Sequence, residues 1–545
     1  MKKYGPFVAL VVIILGAFVL HTYKLSSVPP LDIDEYGIAY DAYSIATTGH
    51  DSWGVQMPVF FRAFGDYKLP LDIYLSAFFF KVFEPSVFWL RFPAVLFALL
   101  YIPTMYVLLK TLTKCNEWAF IGASLIAILP YNLFYSHIIS ASISASYLIF
   151  ASLTFFILAL QSKHTLRNIV ISTVLLSLSL YAYPLSWIIG PLLIVTYTIA
   201  LLFVKKLKYG FVFLIFAISF LPIILQFFVG GSSVRLSNTS AFSFDRGGFI
   251  EIGEFRQAGG NDIFAKAFYN KGTTIGYILL DNYVRHFNIQ YLAFNRSDPG
   301  VQTAPSSPLY IILVPFYFFG LFYIARKFKD PIFFTLLAFI LLAPLPSVIT
   351  EGAVNAKRYL ASMGMETVLI ILAMQKIQIQ KYRLLTMSVM MIFLIEVVLF
   401  YRFFFRTYTD KAFMTFSLKT RIVEETARRY WPEQNLMYTT DVLGEPQIYP
   451  LVGTWYPTDD YLKQRTVEER DNWFFVRPFN GLFYGQDMKE ITEYLADNPE
   501  YQGIGVFSRK ELSELPETVC FDPVDSTYPY KGHSFLIVQI KPCSL

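Results

Sequence analysis

Along most of the chain, apolar residues run on without the spacing of a soluble amphipathic helix or strand. The apolar windows are roughly 15–25 residues long, enough to cross a hydrocarbon layer about 30 Å thick. They fall at about 5–22, 88–110, 117–132, 139–160, 168–184, 187–204, 209–228, 307–325, 331–348, 359–375 and 384–404, which predicts about eleven membrane-spanning helices. The first window follows Met1-Lys2-Lys3 and has no small-residue cleavage site behind it, so it is expected to remain as a helix rather than be removed. The stretch 70–83 is apolar but short, with Asp72 and Lys81 near its ends. It is expected to be a helix lying in the interface rather than another span.

Charge placement tests this layout independently. Basic clusters occur at Lys2-Lys3, Lys110 to Lys114, Lys163 to Arg167, Lys205 to Lys208, Arg326 to Lys329 and Lys376 to Arg383. With about eleven spans and a cytoplasmic N-terminus, every cluster falls on the cytoplasmic side, as the positive-inside rule asks. One miscounted span would break the alternation. The long segments 23–87, 229–306 and 405–545 then lie outside.

After the last window the pattern changes. Strand-like runs appear at Leu436 to Thr440, Trp473 to Arg477, Ile504 to Phe507 and Ser534 to Ile540, with helix-like stretches near 410–430 and 486–497. The expected architecture is a polytopic α-helical membrane domain over 1–404, with outer loops 23–87 and 229–306, followed by a small extracytoplasmic α/β domain over 405–545. The expected location is the plasma membrane, multi-pass, among membrane lipids.

Composition agrees. The hydrophobic fraction is 55% and the charged fraction 16%, against about 45–50% and about 25% for soluble domains. Net charge is +5, and no nucleic-acid partner is expected. There are three cysteines, and no spacing among them matches a zinc or redox motif. Cys115 falls in a cytoplasmic loop and should be free. Cys520 and Cys543 fall outside, where a disulfide is permitted; a bridge and two buried thiols are both open.

The first outer loop carries the candidate chemistry. Asp34-Glu35 follows the first span directly, at the mouth of the bilayer. A carboxylate near lipid has its charged form disfavoured and suits general-base work on a hydroxyl. Lys68 at the same depth would be a point charge for a phosphate. Lys357-Arg358 lies outside against the positive-inside trend, which asks for an anionic partner. Candidate substrate contacts are Asp41, Asp66, Arg91, His137 and Arg285. Structural readings stand beside these: a solvated acidic pair after a helix end, an interfacial anchor for Lys68, a helix cap for Asp66, a headgroup anchor for Arg91, and a satisfied polar group for His137.

These residues, taken in order, resemble the GT-C glycosyltransferases of the bacterial protein O-mannosyltransferase and aminoarabinose-transferase type (glycosyltransferase family 39). The resemblance rests on Asp34-Glu35 after Pro29-Pro30, on Lys68-Leu69-Pro70 opening the interfacial helix, and on Arg91-Phe92-Pro93. The stretches Tyr40 to Ile45, Thr48 to Asp51, Pro344 to Glu351 and Asn355 to Arg358 add to it. The chain departs from it at Asn355, where relatives often carry His, and at Tyr181 to Trp187, which lacks the arginine common there. The resemblance implies sugar transfer from a polyprenyl-phospho-sugar to a protein, polysaccharide or lipid acceptor. It assigns catalysis to Asp34 with Glu35, and the donor phosphate to Lys68, Arg358 and Lys357. It implies no required metal or other cofactor, although Asp34, Glu35, Asp41 and His50 are residue types that can ligate a divalent cation. The rival readings are a lipid or glycolipid transporter, which would favour internal repeats and broken helices, and a catalytically inactive relative that only binds.

Overall fold

The computed structural model describes residues 5–63, 67–229, 246–260, 262–294, 307–350, 354–408, 418–440, 446–470, 473–485, 487–530 and 533–543. The chain divides into two compact units, Met1–Val28 with Arg91–Tyr408, and Pro29–Leu90 with Thr409–Leu545. Residues 29–87 lie in the expected outer loop of the membrane domain by sequence order, yet they share a unit with the C-terminal residues.

The first unit is helical. Among the described residues, eight helices are long and apolar enough to span a membrane, and the bent pair Asn116–Ile128 and Pro130–Ser136 makes up to nine. Two shorter apolar helices, Thr165–Ser179 and Ile311–Arg326, occupy the remaining predicted windows. At about 1.5 Å per residue, the 15 residues of Thr165–Ser179 reach less far than a full bilayer core. Burial varies sharply across this unit. The most hydropathic window of Ser142–Gln161 is 83% buried, whereas those of Gly5–Thr22 and Arg383–Tyr408 are 11% and 6% buried. Helices so apolar and so little covered need lipid around them. Where helices do touch, small residues let them close up. A Cβ on Gly320 would collide with the backbone of Leu369, so the helices Val314–Arg326 and Met363–Ile377 meet there in near-backbone contact.

The second unit is built around a five-stranded mixed sheet. We label the strands of this unit in chain order: β1 Phe61–Arg62, β2 Tyr67–Lys68, β3 Leu436–Thr439, β4 Val467–Arg470, β5 Trp473–Val476, β6 Leu482–Gly485, β7 Gly503–Ser508, β8 Val519–Tyr530 and β9 His533–Pro542. The main sheet has the order β6-β3-β7-β9-β8. Strand β3 runs parallel to β6 and β7, and β9 runs antiparallel to β7 and β8. The helix Met488–Asp497 lays Ile491 and Leu495 against Met437, Phe507, Val538 and Ile540 to close the core. Cys520 and Cys543 are joined by a disulfide, and Cys115 is free. The helix Leu418–Tyr430 and the helix Ile33–Thr48, from the first loop, both belong to this unit.

Candidate functional site

The helix Ile33–Thr48 begins with a device written in its first residues. Asp32 is the N-cap, and its side chain accepts the Asp34 amide at 3.3 Å. Glu35 reaches back so that its Oε2 accepts the Asp32 amide at 3.1 Å. This capping box satisfies amides that a helix start leaves without intrahelical partners. Glu35 is buried and engaged in the cap, whereas Asp34 is exposed in the same turn. The two neighbouring acids therefore have different surroundings, and the outward one is Asp34. Gly49, in the left-handed region at φ 75°, ends the helix.

Lys68 reaches this helix start from the other side of the loop. It sits on β2, paired with Phe61 of the buried end of β1. Its Nζ donates to the Asp34 carbonyl oxygen at 3.5 Å. The helix Pro70–Val82 follows at once, with Pro70 in its first turn. It buries Ile73, Ala77 and Phe80 but leaves Phe78 and Val82 exposed, as an interfacial helix would.

Asp41 is seven residues beyond Asp34, two turns further along roughly the same face, or about 10 Å. It is buried, and its Oδ1 accepts the Ser52 amide at 3.2 Å and hydroxyl at 2.6 Å. Burial pushes its carboxyl up to about 6, opposed by the Lys68 charge and the Ser52 bonds. Asp41, Ser52, Trp53, Arg62, Lys68 and Gln447 help line a small open recess. Two guanidinium groups stack on Trp53, with Arg62 5.1 Å and Arg465 4.9 Å from its ring centroid. Arg465 also donates to the Ser52 carbonyl at 2.6 Å, fixing the loop.

The C-terminal residues hold the 33–48 helix in place. The Tyr36 hydroxyl donates to Glu424 Oε2 at 2.6 Å, and Arg428 donates to Glu424 Oε1 at 2.6 Å. The Tyr40 hydroxyl donates to the Tyr456 carbonyl at 3.0 Å. Burial raises the Glu424 carboxyl, against the Tyr36 bond and the Arg428 charge. Sequence reading passed over Glu424 and Arg465, because nothing in their local pattern points to partners hundreds of residues away. The Asp-x-x-Glu spacing of the capping box was a local signal that could have separated Glu35 from Asp34.

The remaining candidates lie in the helical unit or outside the described residues. Arg91 is fully buried and donates to the Leu25 carbonyl at 3.0 Å. The ring nitrogens of His137 face the carbonyls of Leu133 and Tyr23 at 2.9 and 3.2 Å. Arg285 makes an exposed ion pair with Asp281 at 2.6 Å. Lys357 and Arg358 sit on the short helix Ala356–Tyr359, capped by Asn355, whose side chain accepts the Arg358 amide at 3.3 Å. Asp66 and Glu351 lie outside the described residues. Among the described residues, no group of three or more His, Cys, Asp or Glu is placed to hold a metal ion.

No protein-family model matches the sequence, and no curated protein matches it in sequence. Solved structures do match in three dimensions. The oligosaccharyltransferase AglB of Archaeoglobus fulgidus, in complex with an inhibitory peptide and a dolichol-phosphate, superposes with a TM-score of 0.50 at 14% identity over 83% of this chain. This chain spans only 64% of that protein's length. ArnT of Cupriavidus metallidurans, bound to undecaprenyl phosphate, superposes with a TM-score of 0.47 at 13% identity, covering 98% of each chain. The fold is that of the GT-C membrane proteins, with a small sheet-containing region at the C-terminus.

Proposed function

We propose, from the premise of a GT-C fold, that this chain is a membrane glycosyltransferase. It moves a sugar from a polyprenyl-phosphate carrier to an acceptor hydroxyl at the outer face of the plasma membrane. The observation that carries this reading is the meeting of Lys68 with the start of the 33–48 helix, at the turn that presents Asp34 outward. In the proposed step the acceptor oxygen attacks the anomeric carbon, and the bond from that carbon to the phosphate oxygen breaks. The hydroxyl proton passes to Asp34. The departing polyprenyl phosphate keeps the electron pair, held by the Lys68 ammonium. Configuration at the anomeric carbon inverts. Glu35 positions Asp34 through the cap, and Lys357 and Arg358 are further candidates for the phosphate.

Two features support the outer side. The basic clusters alternate as the positive-inside rule asks, and the Cys520–Cys543 disulfide suits an oxidising compartment. The AglB complex, which contains a dolichol-phosphate, supports a lipid carrier of that kind. The acceptor is a protein, a polysaccharide or a lipid.

The test is turnover of polyprenyl-phospho-hexoses by the full chain in lipid nanodiscs, with envelope glycans compared by mass spectrometry with and without the protein. Asp34→Asn should lower turnover by about 10²–10⁴-fold with unchanged melting and insertion. Lys68→Ala should raise KM for the lipid donor. Near-normal turnover in Asp34→Asn would remove the catalytic assignment. Loss of activity in chelator, restored by manganese, would overturn the metal-free reading.

A further inference from the structure

The outer loop expected over 229–306 contains a helix whose attachments are not those of a loop in water. The helix Lys271–Arg285 buries none of its residues. Its outward face is apolar: Tyr277, Leu280 and Val284 are 71%, 63% and 56% exposed. Their spacing of three and four residues sets them in one stripe. The Tyr283 hydroxyl donates to the Leu341 carbonyl at 2.9 Å, and both residues belong to the helical unit. Leu341 is next to last in the helix Pro331–Leu342, the first part of the candidate span Pro331–Val348. The basic cluster Arg326 to Lys329 and the N-cap Asp330 mark where that span enters the membrane. Ten residues beyond Pro331, at about 1.5 Å each, Leu341 lies about 15 Å into a hydrocarbon layer about 30 Å thick. A helix joined to that carbonyl by one tyrosine side chain lies inside the membrane.

We propose that the helix Lys271–Arg285 is sunk in the outer leaflet, with Tyr277, Leu280 and Val284 against lipid acyl chains. Its polar groups are matched locally, as a setting without water requires. The Asn270 side chain caps the start, accepting the Gly272 and Thr273 amides at 2.9 and 3.1 Å. At the other end the amides of His286, Phe287 and Asn288 donate to the carbonyls of Tyr283, Val284 and Arg285 at 3.3, 3.0 and 3.1 Å. Asp281 and Arg285, one position round the helix from Leu280 and Val284, form an ion pair at 2.6 Å, which lowers the cost of charge beside lipid. Tyr283 itself answers a carbonyl in the last turn of the 331–342 helix, where intrahelical partners run out. His286 anchors the helix end, its ring 5.9 Å from that of Tyr291 and 4.8 Å from that of Tyr359 between centroids. A soluble partner has no access to a stripe at this depth, so lipid is the occupant. The inference does not depend on sugar transfer, and its test does not decide that reading.

The experiment uses the full chain in phosphatidylcholine nanodiscs, with Cys115→Ser removing the free thiol and the Cys520–Cys543 disulfide kept. Nitroxide labels are placed singly by Tyr277→Cys, Leu280→Cys and Val284→Cys. Collision with molecular oxygen, which concentrates in hydrocarbon, is compared with collision with a water-soluble nickel chelate. Leu394→Cys, on the exposed face of the apolar helix Arg383–Arg402, is the lipid reference. Lys489→Cys, on the exposed surface of the helix Met488–Asp497, is the water reference. The three stripe labels should match Leu394→Cys, with an oxygen-to-nickel ratio several-fold above that of Lys489→Cys. Each labelled chain should melt as its unlabelled parent does, because these positions are exposed; this separates a change of setting from a lost fold. Nickel access at the stripe equal to that of Lys489→Cys would place the helix in water and overturn the inference. Poor access to both reagents would place protein over the stripe, a second copy of this chain among the candidates, and would overturn it equally.

Discussion

Asp41 keeps a carboxyl group where burial opposes its charge. Its folded value of about 6 lies above the ordinary 3.8, so the folded chain holds this proton more tightly than the unfolded one. The contribution is therefore fully present below about pH 4 and is lost as pH rises through about 6, a penalty of about 3 kcal/mol at most. Asp41→Asn keeps an acceptor for Ser52 and removes the titrating charge. Its melting temperature should exceed that of wild type at pH 8, and the gap should close toward pH 4. A gap that is constant with pH would show that Asp41 does not titrate as described. Individual residues were legible where chemistry and position coincide. Asp34 and Lys68 stood out because each is a charge beside an apolar run. Gln447 did not, because an amide in the run Pro446-Gln447-Ile448 looks like any loop residue until its surroundings are known.

At the scale of elements, the 33–48 helix depends on its first turn. Asp32→Ala removes the N-cap acceptor and should cost about 1 kcal/mol of stability. It should lower turnover further than that loss alone accounts for, since it also frees the turn that carries Asp34. Asp32→Asn or Asp32→Ser should restore both, as measured by thermal melts and initial rates. Rates that simply track melting temperature across these variants would argue against a positioning role. The apolar windows located the membrane helices well, because continuous hydrophobicity needs no knowledge of partners. Among the strands, the four runs read from sequence correspond to β3, β5, β7 and β9. Strand β8 escaped notice because it carries Pro523, Pro529, Asp522 and Asp525, a turn-like composition. It tolerates them at the edge of the sheet, bulged where it passes Pro523.

At the scale of the molecule, the second unit is assembled from two stretches separated by nearly the whole membrane domain. A reading that moves along the chain divides it at the last apolar window, and cannot see that residues 29–90 have their partners beyond residue 409. The disulfide closes one margin of that unit. Its 23-residue separation predicts a stabilisation of about 3 kcal/mol, so Cys520→Ser with Cys543→Ser should lower the melting temperature of the chain. Wild type treated with reductant should fall to the same value. Equal melting of oxidised wild type and the double variant would mean that the bridge contributes nothing to this unit.

The bond from Tyr36 to Glu424 joins residues 388 positions apart, and that from Tyr40 to Tyr456 joins residues 416 apart. During synthesis the first partner of each pair leaves the ribosome early, and must wait while every membrane helix is threaded before its counterpart arrives. The helix that carries Asp34 is among the first segments made, yet two of its contacts are completed only by the last part of the chain. A nascent chain halted before residue 418 would carry that helix without its Glu424 and Tyr456 contacts.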